Sequence, residues 1–353
     1  MVKITLENVT HIYNKGPPAL EDVTLTFQDK STNALLGPSG CGKTTLLKII
    51  CGLLKPTKGR IYFDNRDVTD LPPEERDIAI VFQFPVVYNM SVYENLMFPL
   101  LNIKMSKEEK IKKVQRVAES LGLSNLLNVH APSLGPADRQ RVALGRALVR
   151  SPKAFLFDEP LSSIEPEKKV ILKSEIKKII DKIEQTTIYV THDQTEALTF
   201  AEKIAVMDRG RVVQYDTKEN IYLRPANTFV GFFIGSPGMN FLLGQLEGNV
   251  IDFKDFQIRL PDKFKLSKRI TTIKFGIRPE HVQVSAEKVD GWHCFTVMAC
   301  EPTGKGYNII YLKTDNQTIK ARTILSPSEG SKVWVEFPFE YINLFDENGD
   351  RII

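Results

Sequence analysis

Gly37-Pro38-Ser39-Gly40-Cys41-Gly42-Lys43-Thr44 is the stretch on which the reading of this chain turns. It satisfies the pattern G-x-x-x-x-G-K-[ST], and its flanks are those the pattern requires. Leu35-Leu36 closes an apolar strand before it, and residues 44–54 read as a helix after it, stopped by Pro56. The glycines let backbone N–H groups turn inward around phosphate oxygens. The N-terminus of the following helix adds positive potential at the same point. Lys43 can reach the β- and γ-phosphates of a nucleotide, and the Thr44 hydroxyl can ligate Mg²⁺. A chance glycine-rich turn would lack both flanks.

Further along, Asp158-Glu159-Pro160 ends the run Ala154-Phe155-Leu156-Phe157, whose unbroken apolar character marks a buried parallel strand. An acid at the carboxyl end of such a strand faces the crevice where open α/β sheets bind ligands. Asp158 is expected to hold Mg²⁺ through water, and Glu159 to polarise the attacking water. Alone, the pair would read equally well as solvated turn acids; beside a phosphate loop it does not. Thr187-Ile188-Tyr189-Val190-Thr191 is a second buried strand. Residues 106–121 form an amphipathic helix opened by Ser106 with Glu109 three residues on, a capping box. Residues 167–184 form a longer helix with Ile171, Leu172, Ile176, Ile179, Ile180 and Ile183 on one side. Strands alternating with helices imply an α/β sheet.

The pattern changes at Ser236-Pro237-Gly238. Beyond it, short alternating runs such as Gln257-Ile258-Arg259-Leu260, Asn308-Ile309-Ile310-Tyr311-Leu312 and Lys332-Val333-Trp334-Val335-Glu336-Phe337 are separated by turn residues, as in a small β-sandwich or barrel. A length of 353 residues suits two domains. They are expected over residues 1–238, a P-loop ATPase of α/β class, and 239–353, a small all-β domain.

Composition removes several classes. The net charge of +4, from 47 basic against 43 acidic residues, gives no argument for nucleic acid as a partner. No window of about 18 apolar residues exists to span a bilayer, and the N-terminus lacks the layout of a signal peptide. The chain is therefore expected to stay in the cytoplasm. Cys41, Cys51, Cys294 and Cys300 form no CxxC pair, so reduced thiols are expected.

With the segments between them, these pieces resemble the nucleotide-binding subunit of ABC (ATP-binding cassette) transporters over nearly the whole chain. Val81-Phe82-Gln83 resembles the Q-loop; Arg139-Gln140-Arg141-Val142-Ala143-Leu144-Gly145-Arg146-Ala147-Leu148 resembles the signature helix; Tyr189-Val190-Thr191-His192-Asp193 resembles the switch region. The resemblance implies ATP and Mg²⁺ as ligands. Gln83 would touch Mg²⁺ beside Thr44 and Asp158, His192 would contact the γ-phosphate, Tyr13 would stack on adenine, and Thr45 would join the phosphate loop. Catalysis would rest on Lys43, Glu159 and His192. Phe233-Ile234-Gly235-Ser236-Pro237-Gly238-Met239-Asn240-Phe241, Gly276-Ile277-Arg278-Pro279-Glu280-His281 and Leu344-Phe345-Asp346 resemble the OB-like regulatory domain of carbohydrate and glycerol-phosphate importers. Metal and polyamine importers carry related domains, so a different solute class stays open. The implied setting is peripheral, on the cytoplasmic face of the cell membrane, with membrane-spanning permease subunits, a second ATPase subunit and an extracytoplasmic solute-binding protein. Two rivals remain: an ABC ATPase outside transport, against which a single cassette without a coiled-coil heptad run speaks, and a regulatory subunit that binds ATP with weak hydrolysis.

The sequence departs from the family at the signature. Leu-Ser-Gly-Gly-Gln is replaced by Leu134-Gly135-Pro136-Ala137-Asp138, which removes a serine hydroxyl and both glycines. In this family the signature of one subunit closes over ATP held by the other. Pro136 has no N–H to donate, and Ala137 places a methyl group where a glycine allows close approach. Asp138 would bring a negative charge toward the γ-phosphate; at about 4 Å and an effective dielectric of about 20, that repulsion is about 4 kcal/mol. Pairing with a different ATPase chain is therefore expected in preference to a homodimer. Glu165 stands where the family has aspartate, and residues 83–90 are one residue short.

Overall fold

The computed structural model describes residues 2–261 and 271–352. In the first part of the chain, alternate residues of each short apolar run face two different cores. In the strand Ala154–Asp158, Ala154 and Leu156 enter one apolar cluster while Phe155 and Phe157 enter another. In Thr186–Thr191, Ile188 and Val190 face the first and Tyr189 the second. Both strands are buried throughout, as parallel strands covered on both faces must be.

Six strands make this sheet, in the spatial order Arg211–Thr217, Lys203–Asp208, Thr32–Leu36, Thr186–Thr191, Ala154–Asp158, Ile78–Val81. All are parallel except Arg211–Thr217, which runs antiparallel to its neighbour. The helix Lys43–Ile50 and an antiparallel sheet containing Ile4–Ile12 and Pro18–Phe27 build the first core. The helices Val92–Met97, Lys107–Ser120, Pro136–Leu148 and Pro166–Ile180 contribute to the second.

Local details refine the expected elements. The helix after the phosphate loop ends at Ile50, ahead of residue 54, because Gly52 takes a positive φ of 84° before Pro56 is reached. The capping box joins Ser106 and Glu109 in both directions. In Pro166–Ile180, Leu172, Ile176 and Ile180 are buried, but Ile171 is 58% exposed. Adjacent helical residues point about 100° apart, so Ile171 cannot share the inward stripe with Leu172.

The chain divides into two compact units, Met1–Lys218 and Glu219–Ile353, a break well ahead of the residue 238 expected from composition. The change at 236–238 marks the first strand, Asn240–Glu247, and not the start of the unit. The preceding segment is tied to the far end of the chain. Thr228 N donates to Gly349 O at 2.8 Å, Arg351 N to Ala226 O at 2.9 Å, and Arg278 Nε to Tyr222 O at 2.8 Å. The second unit contains two five-stranded antiparallel sheets around one core that includes Leu242, Phe275, Phe295 and Val335. Gln257–Arg259, Asn308–Lys313 and Lys332–Glu336 are strands where the alternation placed them.

These bonds set an expectation for truncation. A chain ended after Lys218 should stay folded and gain thermal stability with MgATP. One ended at residue 240 keeps Ile221, Val230, Ile234 and Met239, all buried in the whole chain, without the strands that follow them, and should melt lower or aggregate. Melting both proteins with and without MgATP checks this; the opposite order would return the boundary to residue 238.

Candidate nucleotide site

Four strands adjacent in the parallel sheet end at one edge, and each is followed by one of the segments singled out in the sequence. Thr32–Leu36 leads into the loop from Gly37, Thr186–Thr191 into His192, Ala154–Asp158 into Glu159, and Ile78–Val81 toward Gln83. The register keeps these ends level: Leu36 pairs with Thr191, Asp158 with Val190, and Val81 with Phe157. Convergence of distant segments follows from the parallel arrangement, whose strand ends face one crevice.

The loop depends on its glycines. Gly42 has φ 105°, and a Cβ there would lie 2.5 Å from Ala19 O; a Cβ on Gly37 would lie 2.3 Å from Met207 O. Lys43 is only 5% exposed, and its ammonium donates to Gly37 O at 2.8 Å and Pro38 O at 2.9 Å. The loop thus holds this cation on its own carbonyls. Cys41 is buried beneath the loop, and its N donates to Pro38 O at 3.3 Å.

Thr44 Oγ1 donates to Asp158 Oδ1 at 3.0 Å. Burial pushes the Asp158 carboxyl above its usual range; the Thr44 bond opposes this, and the charge of Glu159 adds to it. Glu159 has φ 45°, a left-handed conformation that is sparsely populated for a side chain of this kind, and its N donates to Val190 O at 3.0 Å. Its Oε2 lies 2.8 Å from His192 Nδ1. Tyr13, 45% exposed and with the His11 ring centre 4.6 Å away in a T-shaped contact, places its hydroxyl 3.2 Å from Thr45 Oγ1. A cavity of about 440 Å³ is lined by Tyr13, Ser39, Gly40, Gly42, Lys43, Thr44, Thr45, Gln83 and Glu159. The fold therefore gathers the expected phosphate, adenine and water-handling residues around one opening.

At the altered signature, Gly135 is the residue before the helix Pro136–Leu148 and makes no side-chain cap bond; Pro136 is the first helical residue. Two expectations change here. Asp138 Oδ1 sits 2.6 Å from Arg141 Nη1, and the same guanidinium forks onto Glu175 through two bonds of 3.0 Å. The Asp138 charge is thus spent on its own chain, and the full repulsion toward phosphate does not apply. Ala137 is 9% exposed and its methyl belongs to the second core, so it does not obstruct an approach from outside. What remains lost is the hydroxyl at 135 and the N–H at 136. Glu165 precedes the helix Pro166–Ile180 and pairs with Lys168 at 2.8 Å.

A groove near Gln83 was not anticipated in its composition. Phe82, Phe84, Val86, Tyr88, Phe98 and Arg146 line a cavity of about 500 Å³, with Phe84 69% and Val86 71% exposed. Arg146 Nη1 donates to Val86 O at 2.7 Å, and its guanidinium lies 4.1 Å from the Tyr88 ring centre. The available signal was the run Phe82-Gln83-Phe84-Pro85-Val86-Val87-Tyr88: an apolar loop that is no strand. Among the described residues no helix is long and apolar enough to cross a membrane.

Comparison with known proteins finds relatives over the whole chain. The family model described as ABC transporter matches residues 20–162, and the one described as MalK OB fold domain matches residues 235–282. The trehalose/maltose import ATP-binding protein MalK of Thermococcus litoralis is 39% identical, with all of both chains covered. The oligosaccharides import ATP-binding protein MsmX of Bacillus subtilis is 39% identical over 98% of each chain, and the sn-glycerol-3-phosphate import ATP-binding protein UgpC of Pectobacterium atrosepticum is 36% identical over 98% of each. Among solved structures, the ATP-binding cassette MJ0796 in a dimeric post-hydrolysis state with ADP and Pi aligns at a TM-score of 0.55 and 32% identity, covering 61% of this chain and 98% of that one.

Proposed function

The chain belongs to the family of ATP-binding subunits of ABC importers, and from that premise we propose that it hydrolyses ATP to drive uptake of a sugar, polyol or related small solute opposite a second, different ATPase chain. One observation carries the asymmetric pairing. The residues this chain uses on its own ATP are complete and gathered at one sheet edge, while the helix start it lends to its partner has lost a hydroxyl and an N–H donor. The cargo class rests on the relatives, which are named for trehalose/maltose, oligosaccharide and sn-glycerol-3-phosphate import.

Tyr13 stacks on the adenine ring, and Lys43 leaves the carbonyls of Gly37 and Pro38 for the β- and γ-phosphates. Thr44, Asp158 and Gln83 suit Mg²⁺: two of their oxygens already lie 3.0 Å apart, and a buried carboxyl pushed upward by its surroundings gains from a cation. Held there, the ion would supply neutralisation of phosphate charge during transfer. His192 holds the Glu159 carboxylate, which aligns the attacking water and takes its proton. The groove around Phe84 and Val86 grips a membrane-spanning subunit, which keeps the chain peripheral on the cytoplasmic face, and an extracytoplasmic solute-binding protein delivers the cargo.

Purified alone, the chain is expected to bind MgATP and hydrolyse it slowly. The combined substitution Gly135→Ser, Pro136→Gly, Ala137→Gly, Asp138→Gln should raise that rate at least about tenfold, the scale of regaining one donor to a developing charge. The structure accommodates it: a Cβ at Gly135 meets nothing within 4 Å, and Arg141 keeps its fork to Glu175. Fast, cooperative hydrolysis by the unaltered chain alone, unchanged by the substitution, would show a working homodimer.

A further inference from the structure

Three arginines far apart in sequence, Arg224, Arg278 and Arg351, line one cavity of about 320 Å³ within the second unit. That volume lies at the lower end of small-molecule sites, about 300–1,000 Å³. Arg278 is 2% exposed. Its Nε donates to Tyr222 O at 2.8 Å, its Nη1 donates to Ile234 O, and its guanidinium lies 3.8 Å from the centre of the Tyr222 ring. Its Nη2 is buried and meets no partner. The nearby Glu280 carboxylate accepts the Tyr222 hydroxyl. Buried guanidinium nitrogens are rarely left without an acceptor, because the lost hydration is not replaced.

The other two arginines lie on neighbouring segments of the same lining. The bond from Arg351 N to Ala226 O brings Arg351 beside the segment that carries Arg224. Burial first, and then the positive charge of Arg224, pull the Arg351 pKa down. Glu340 is the one carboxylate among the residues lining this cavity, and the charge of the nearby Glu280 also acts on Arg278. One wall is different in kind: His281 and Tyr341 stack with ring centres 3.8 Å apart and planes at 4°. Burial lowers the His281 pKa, and its Nε2 is a second buried atom without a partner.

We propose that this cavity binds a small phosphorylated metabolite, its phosphate held by Arg224, Arg278 and Arg351 and its carbon skeleton laid against Tyr341 and His281. Planar guanidinium forks match phosphate oxygens, and the flat ring pair offers apolar area. The His281 Nε2 is available to a hydroxyl of the skeleton.

The phosphate loop also takes phosphate, so the test uses the full chain saturated with MgADP. Calorimetry with glucose 6-phosphate, glucose and inorganic phosphate compares the unaltered chain with Arg224→Gln/Arg351→Gln, whose two side chains are exposed and can change without loss of core. The expected result is glucose 6-phosphate binding that weakens at least about tenfold in the double variant, with MgADP affinity unchanged and glucose not bound. Equal binding by the double variant, binding of glucose as tight as that of its phosphate, or no binding of any probe at millimolar concentration would overturn the site. Binding of inorganic phosphate without glucose 6-phosphate would overturn the metabolite in favour of the free anion.

Discussion

Lys43→Ala is expected to leave a folded chain with almost no ATPase activity. The side chain is the buried cation of the phosphate loop, with its ammonium 2.8 and 2.9 Å from two loop carbonyls. Removing a preorganised donor aimed at developing charge lowers turnover by about 10²–10³, and nucleotide affinity should fall at least about tenfold because the β- and γ-phosphates lose their charge-assisted bonds. The substitution also takes the Lys43 donor from Gly37 O, which costs about 1–3 kcal/mol, while Pro38 O keeps its bond from Cys41 N. A melt without nucleotide separates that loss from the functional one. Binding is measured by nucleotide titration with and without Mg²⁺, and turnover by phosphate release from the assembled transporter. Unchanged affinity and turnover would remove the phosphate-loop assignment.

Glu159→Gln is expected to bind MgATP normally and hydrolyse it at least about a hundredfold more slowly, the scale of losing a positioned general base. The change is nearly isosteric. The amide keeps an oxygen for His192 Nδ1, which lies 2.8 Å from the native carboxylate, and the backbone bond to Val190 O is untouched. What disappears is the capacity to take a proton from water. On the proposed pairing, in which separation of the two ATPase chains follows hydrolysis, the variant should also hold a long-lived closed pair with its partner in MgATP. Single-turnover hydrolysis and size-exclusion chromatography of the paired subunits read both effects. Normal single-turnover rates would deny Glu159 the role of base.

Legibility in the sequence followed the range of the interactions. Gly37 to Thr44 is legible directly, because the positive φ of Gly40 and Gly42 and the Lys43 bonds to Gly37 O and Pro38 O lie within eight consecutive residues. The buried strands Ala154–Asp158 and Thr186–Thr191 were equally plain, since burial on both faces leaves no polar position to confuse the period. The helix Pro166–Ile180 was read slightly too generously: composition placed Ile171 with Leu172, while rotation along the helix admits one of them. The unit boundary near 218 was hidden for another reason. The ties from 226–228 to 349–351 are backbone carbonyls and N–H groups, which carry no compositional signal, and the tie to 278 is one guanidinium meeting the distant Tyr222 carbonyl.

Chemistry that depends on order along the chain was therefore present in the one-dimensional text: a phosphate loop, an acid pair at a strand end, a histidine just after a buried strand, an altered signature and a β-rich second half. Chemistry that depends on which distant groups meet was not. Folding placed Asp138 on Arg141 and Glu175, turned the Ala137 methyl inward, opened the groove around Phe84 and Val86, and brought Arg224, Arg278 and Arg351 to one cavity. The physical reason is that a charge or an exposed ring takes its meaning from its neighbours in space. Those neighbours are selected by parallel strand order and packing, not by position in the chain.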